Sequence, residues 1–182
     1  MGLFGFVKKF KSNKNNESPR LNIDIKTEVE QDWNDFALRA HQAEKIREKY
    51  KNIIDLHNEY IEKYEKMYSV LLNSNLLKTE NAEGLIKLIL ADIEIAPEWK
   101  AMDYEISKVY ETEPIRYYPA FTRLALVYEK REEYAKAIEI CQQAIELGYD
   151  NDKTKGGMQG RIARLCKKAG LNPLDYIDIS DI

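Results

Sequence analysis

A chain of 182 residues with 44% hydrophobic side chains suits one packed domain, or a domain plus an extension, and its 8 Gly and 5 Pro are too few to punctuate many short strands. The mean hydropathy is −0.56 and no run of about 18 apolar residues occurs, which excludes a membrane-spanning segment. The formal charge of −3 is segregated: residues 1–20 carry five basic groups and one acidic, residues 21–152 carry 17 and 27, and residues 153–182 carry six and three. An acidic body with basic ends argues against nucleic-acid binding by the whole domain, and leaves room for local anion contacts at either end.

Residues 1–20 read as an N-terminal arm and linker. Leu3, Phe4, Phe6, Val7 and Phe10 fall near one helical face, surrounded by Lys8, Lys9, Lys11 and Lys14. The basic residues follow the apolar ones, the reverse of a secretory signal, and "MGLFGF" lacks the Ser or Thr of an acylation signal at its sixth position. Aromatic residues among lysines suit contact with an anionic membrane surface, although Gly5 weakens a helix there by about 1 kcal/mol. Docking on a partner or on the protein's own body is an equal alternative. "SNKNNESPR" then breaks the pattern as a linker, and "LNIDIK" alternates like a short extended piece.

Residues 21–75 form the second region. No Gly or Pro occurs between Gln31 and Leu72, and a wide stripe runs through Tyr50, Ile53, Ile54, His57, Tyr60, Ile61, Tyr64, Met67, Tyr68 and Leu71. This width predicts a long amphipathic helix packed into a globular core; homo-oligomerisation through the 31–72 helix is the competing use of the stripe. "NSN" at 73–75 should end the helix.

The third region spans residues 76–182. Ile86, Ile89, Leu90 and Ile93 mark a helix that should end near Pro97, and Trp99 to Tyr110 another. Pro119 suits the first turn of the next helix, where its missing N–H costs nothing. Phe121, Leu124, Ala125 and Tyr128 then share one helical face, and Tyr134, Ala137, Ile138, Cys141, Ala144 and Ile145 another. "KREE" between them has room only for a tight helix-to-helix turn. A last helix carries Met158, Ile162, Leu165 and Cys166.

Residues 118–151 resemble one unit of the tetratricopeptide repeat, a 34-residue helix–turn–helix. Phe121, Leu124, Ala125, Tyr128, Tyr134, Ala137, Ala144 and Ile145 carry the match; Glu132, Cys141 and Tyr149 stand where the family favours Gly, a bulky aromatic and Pro. A preceding unit at 66–99 matches poorly, with Asn73, Leu85 and Asp92 out of pattern. The fold expected is therefore all-α: an irregular, tetratricopeptide-like helical-hairpin domain with a long N-terminal helix and a C-terminal capping helix.

That resemblance implies a groove that binds a protein or peptide partner, lined here by Thr122, Arg123, Leu126, Glu129 and Lys130, with Arg116 and Tyr118 just before them. The competing reading makes these ordinary solvated helix residues. A second candidate is "KTKGGMQGR", where Lys153, Lys155, Arg161 and Arg164 crowd a Gly-rich loop that could hold phosphate or nucleic acid at a helix N-terminus, though it lacks the GxxxxGK[ST] pattern. Catalytic signatures do not emerge: His41 and His57 are isolated, and His57 suits a hydrogen-bonded core position. Cys141 and Cys166 lie in helical patterns with neither metal nor disulfide spacing, as in a reducing cytoplasm. The sequence reading is a non-enzymatic adaptor or scaffold without metal or cofactor, cytoplasmic or peripheral to a membrane. The abundance of Lys, Asn, Ile and Tyr points to a low-GC bacterium or its phage.

Overall fold

The computed structural model describes residues 25–177, with side chains from residue 31 onward. The N-terminal arm therefore lies outside the described residues. Two compact units divide at Ala37 and Leu38. The first holds the start of helix α1 (Ile25–Lys49), where the rings of Trp33 and Phe36 meet edge to face, 6.3 Å between centroids. The second holds the remainder of α1, then α2 (Lys51–Asn73), α3 (Glu83–Glu94), α4 (Ala96–Tyr110), α5 (Pro119–Lys130), α6 (Tyr134–Glu146) and α7 (Gly157–Ala169), with short 3-10 turns at Glu80–Ala82 and Pro173–Asp175. No strand occurs among the described residues, so the fold is all-α. Of "LNIDIK", Ile25 and Lys26 are already helical, which corrects the expected extended end of that piece; its earlier residues lie outside the described ones.

The uninterrupted 31–72 stretch is two helices, which abut at Tyr50 with φ −104 and ψ 15. The stripe on α2 packs within the chain: His57, Tyr64, Tyr68 and Leu71 are buried, and Ile53, Ile54, Tyr60, Ile61 and Met67 half-buried. The helix stops at Asn73, just before Asn75 takes a left-handed φ of 55. α3 packs on α2 through Leu85, Ile86, Ile89 and Ile93, whereas Leu90 remains 36% exposed. Pro97 sits in the first turn of α4, where it needs no N–H partner.

In the second hairpin, α5 begins at Pro119 as expected, and Ala125 and Ala137 are both completely buried. Phe121, Leu124 and Val127 from α5 join Ile138, Cys141 and Ala144 from α6, each large side chain contributing about 1.5–3 kcal/mol by leaving water. The turn between them bends through Glu132 at φ 63, and Tyr149 after α6 is buried in the core. α3 packs on α5, α5 on α6, and α6 on α7, so two hairpins and a closing helix form a ladder. Met158, Ile162, Leu165 and Cys166 fasten α7 to it. α4 stands aside from this ladder and touches α2 and α3.

Candidate interaction face

The outward face of α5 is held between two other helices by charge. Arg123 grips Glu65 of α2 through Nε–Oε1 at 2.8 Å, Nη2–Oε1 at 2.6 Å and Nη2–Oε2 at 2.5 Å, and its guanidinium lies 4.0 Å from the centre of the Tyr68 ring. A planar guanidinium suits both tasks, because its fork matches a carboxylate while its face stacks on an aromatic ring. One and a half turns later, Glu129 accepts Lys168 of α7 at 2.5 Å and lies 3.5 Å from Arg161. Three helices thus share one face, with Leu126 half-buried between the two pairs and Lys130 exposed at its edge. Thr122 is half-buried, and its hydroxyl makes no hydrogen bond among the described residues.

Two of the residues expected on this face serve other tasks. Tyr118 is 1% exposed, because the chain turns into α5 with its ring pointing into the core. Arg116 pairs with Asp150, which ties the segment before α5 to the segment after α6; Asn151 N–H donates to the Arg116 carbonyl at 2.9 Å beside it.

Behind α5 lies a buried polar cluster. His57 Nδ1 is 2.6 Å from Asp92 Oδ1, and the Tyr118 hydroxyl donates to the same oxygen at 2.8 Å and to the Asp92 carbonyl at 2.9 Å. The His57 ring stacks on Tyr118 at 4.6 Å and tilts against Trp99 at 4.1 Å. Asp92 is fully buried, and its Oδ2 and the Tyr64 hydroxyl have no hydrogen-bond partner among the described residues. Burial, with the Asp92 carboxylate beside them, pushes the Tyr64 and Tyr118 hydroxyls far above the ordinary phenol range. His57 thus occupies a hydrogen-bonded core position. Its partner Asp92 has only a faint sequence signal: an acid three residues after Ile89 on an otherwise apolar helical face.

The basic loop before α7 is largely occupied by its own contacts. Asp152 accepts the Thr154 N–H at 2.9 Å, the Thr154 hydroxyl at 2.6 Å and Arg161 Nε at 2.7 Å. Arg164 donates to the Thr154 hydroxyl and the Lys155 carbonyl. The amides of Gly157 and Met158 are used by the Thr154 and Asp150 carbonyls. Glycine is required at two positions: a Cβ on Gly157 would stand 2.3 Å from the Asp150 oxygen, and one on Gly160 2.5 Å from that of Lys155. Lys153 lies over the Tyr117 ring at 3.9 Å, and Lys155 is exposed. Burial of Arg161 was not legible in the sequence, because Asp152 resembles any loop acid until the chain folds.

Burial pushes the Cys141 thiol up to about 12. Among the described residues, no group of three or more His, Cys, Asp or Glu is placed to hold a metal, and no helix is long and apolar enough to cross a membrane. The fold and this face define an all-α protein of stacked helical hairpins. No family model, curated protein or solved structure matches the chain.

Proposed function

We propose that the protein is a tetratricopeptide-like adaptor that binds a protein or peptide across the face shared by α2, α5 and α7. The observation carrying this reading is the double anchoring of α5: the Arg123–Glu65 and Glu129–Lys168 pairs place Leu126 and Lys130 on a surface contributed by three helices. The left-handed conformation of Glu132, at the position where the repeat family favours glycine, supports the resemblance behind it. Preorganised helices present such a face at little entropic cost on binding.

Arg123 is a poor residue with which to test the idea, since Arg123→Glu would set two carboxylates against each other at Glu65. Leu126→Asp/Lys130→Glu disturbs the face without touching either anchor. Affinity capture from the host should recover a partner with the wild-type protein and lose it about tenfold or more with this variant, at unchanged helical circular dichroism. Equal recovery by both proteins would remove the face from consideration.

A further inference from the structure

Two apolar clefts of similar size open on the second unit, and their rims carry opposite charge. One, about 450 Å³, lies along α2 and α3, floored by Met67, Val70, Leu71 and Leu88 and rimmed by Lys63 and Lys66. The other, about 420 Å³, lies between the end of α3, the start of α4 and the end of α6, floored by Leu90, Ile93, Pro97 and Leu147 and rimmed by Glu94 and Glu146. Both glutamates are exposed and form no ion pair among the described residues. Each is also the last residue of its helix, where the free carbonyl ends already concentrate negative charge, and neither α3 nor α6 has a basic residue in its last turn. The last turns of α4, α5 and α7 follow the favourable rule, with Lys108, Lys130 and the Lys167–Lys168 pair there. The nearby cations do not neutralise the acidic rim: Lys87 is outside the lining, and Lys100 donates to the carbonyls of Ile115 and Gly148.

We infer that the acidic cleft between α3 and α6 is a docking site for a partner protein's segment that carries lysine or arginine among apolar side chains. Above its apolar floor the lining offers two carboxylates and the Gln143 amide, and Pro97 has no N–H to give. The complement of that lining is an apolar group ending in a charged N–H donor. A lysine or arginine side chain is built this way, with a stem that lies along the floor and a head that reaches the carboxylates. Leu90, 36% exposed at the floor, is the apolar surface such a segment would cover. A cleft of this volume takes a few side chains, so a short segment suffices to fill it. Acids at the unfavourable ends of two helices, brought to one cleft, break a local rule where a bound cation restores the balance. Charge also sets the selectivity, because the lysine rim of the other cleft repels the same segment. None of the lining residues belongs to α2, α5 or α7, so this site is separate from the face assigned to the adaptor function.

Fluorescence anisotropy of a labelled, capped peptide, Ala-Leu-Lys-Leu-Leu-Lys-Ala, titrated with the full-length protein tests this. The peptide should bind about tenfold tighter than a counterpart with glutamate for both lysines, and about tenfold tighter than one with alanine for each leucine. Glu94→Gln/Glu146→Gln and Leu90→Ser should each weaken it about tenfold at unchanged helical circular dichroism, and added salt should weaken binding to the wild type. Lys66→Glu, at the other cleft, and Leu126→Asp/Lys130→Glu, on the adaptor face, should leave the affinity unchanged, so failure at one site is distinguishable from failure at the other. No binding of the lysine peptide, equal binding of the lysine and glutamate peptides, or an affinity indifferent to Glu94→Gln/Glu146→Gln would overturn the assignment. So would self-association of the protein without peptide, read by sedimentation, if Glu94→Gln/Glu146→Gln abolishes it, because a second copy would then be the occupant.

Discussion

The α5–α6 hairpin closes on completely buried Ala125 and Ala137, whereas the junction of α2, α3 and the start of α5 closes on a carboxylate, an imidazole and a phenol. Small apolar side chains let two helices approach, and they respond mainly to changes of volume. The Asp92 cluster responds to something else. Its donors were stripped of water on folding and the carboxylate receives both of them, the Tyr118 hydroxyl dividing itself between that group and the Asp92 carbonyl. The α5–α6 hairpin is closed by shape at its two alanines, whereas the α2–α3 hairpin adds a hydrogen-bonded cluster to its apolar packing.

Removing the acceptor should have the largest effect. Asp92→Ala strands the His57 ring nitrogen in the core and leaves the Tyr118 hydroxyl only the residue-92 carbonyl, and should lower the unfolding free energy in urea by about 3 kcal/mol. A loss of under about 1 kcal/mol would show that the cluster contributes little beyond packing. In the other hairpin, Ala137→Leu should cost about 2 kcal/mol by overpacking, read from the same denaturation curves. An unchanged midpoint would mean that the closure at Ala137 is looser than its complete burial indicates.

A pH series distinguishes the two regions from the junction before α7. Burial raises the affinity of Asp152 for a proton, but the Thr154 hydroxyl and amide and Arg161 more than offset it, leaving the carboxyl below its ordinary 3.8. Because the folded value is the depressed one, the stabilisation is fully present above the unfolded value and lost as pH falls through the folded one. The urea midpoint of the wild type should therefore fall as pH drops below about 4, and Asp152→Asn should flatten part of that decline. An identical acid slope in both proteins would contradict the depressed value.

The smallest effect is expected at the hairpin turn. Glu132→Gly relieves a left-handed backbone, worth about 1 kcal/mol, while sacrificing an exposed ion pair with Lys78 worth less than that. A net gain of about 0.5 kcal/mol in thermal or urea unfolding is predicted. Destabilisation instead would show that the Lys78–Glu132 pair does more than fasten two surface side chains.

Periodicity and turn chemistry were legible in the sequence. The spacing of Phe121, Leu124, Tyr134 and Ala137, the placement of Pro119 and the "KREE" turn each carry local geometry, because helix repeat and backbone preference act within a few residues. They were enough for the all-α class, the α5–α6 hairpin and the final helix. The break at Tyr50 was not legible, since nothing in its neighbourhood opposes a continuous helix. Nor were the partners of His57, Arg123 and Arg161. Asp92, Glu65 and Asp152 lie 35, 58 and 9 positions away from them and look like ordinary acids in isolation. Which charge faces a helix, and which one meets an apolar cleft, depends on how distant segments stack. Sequence alone determined where the chain becomes helical and where it turns; only the tertiary structure decided which acids became core acceptors and which, at Glu94 and Glu146, were left at a surface cleft. The physical reason is that helix propensity is local, whereas desolvation and electrostatic pairing belong to contacts made only after folding.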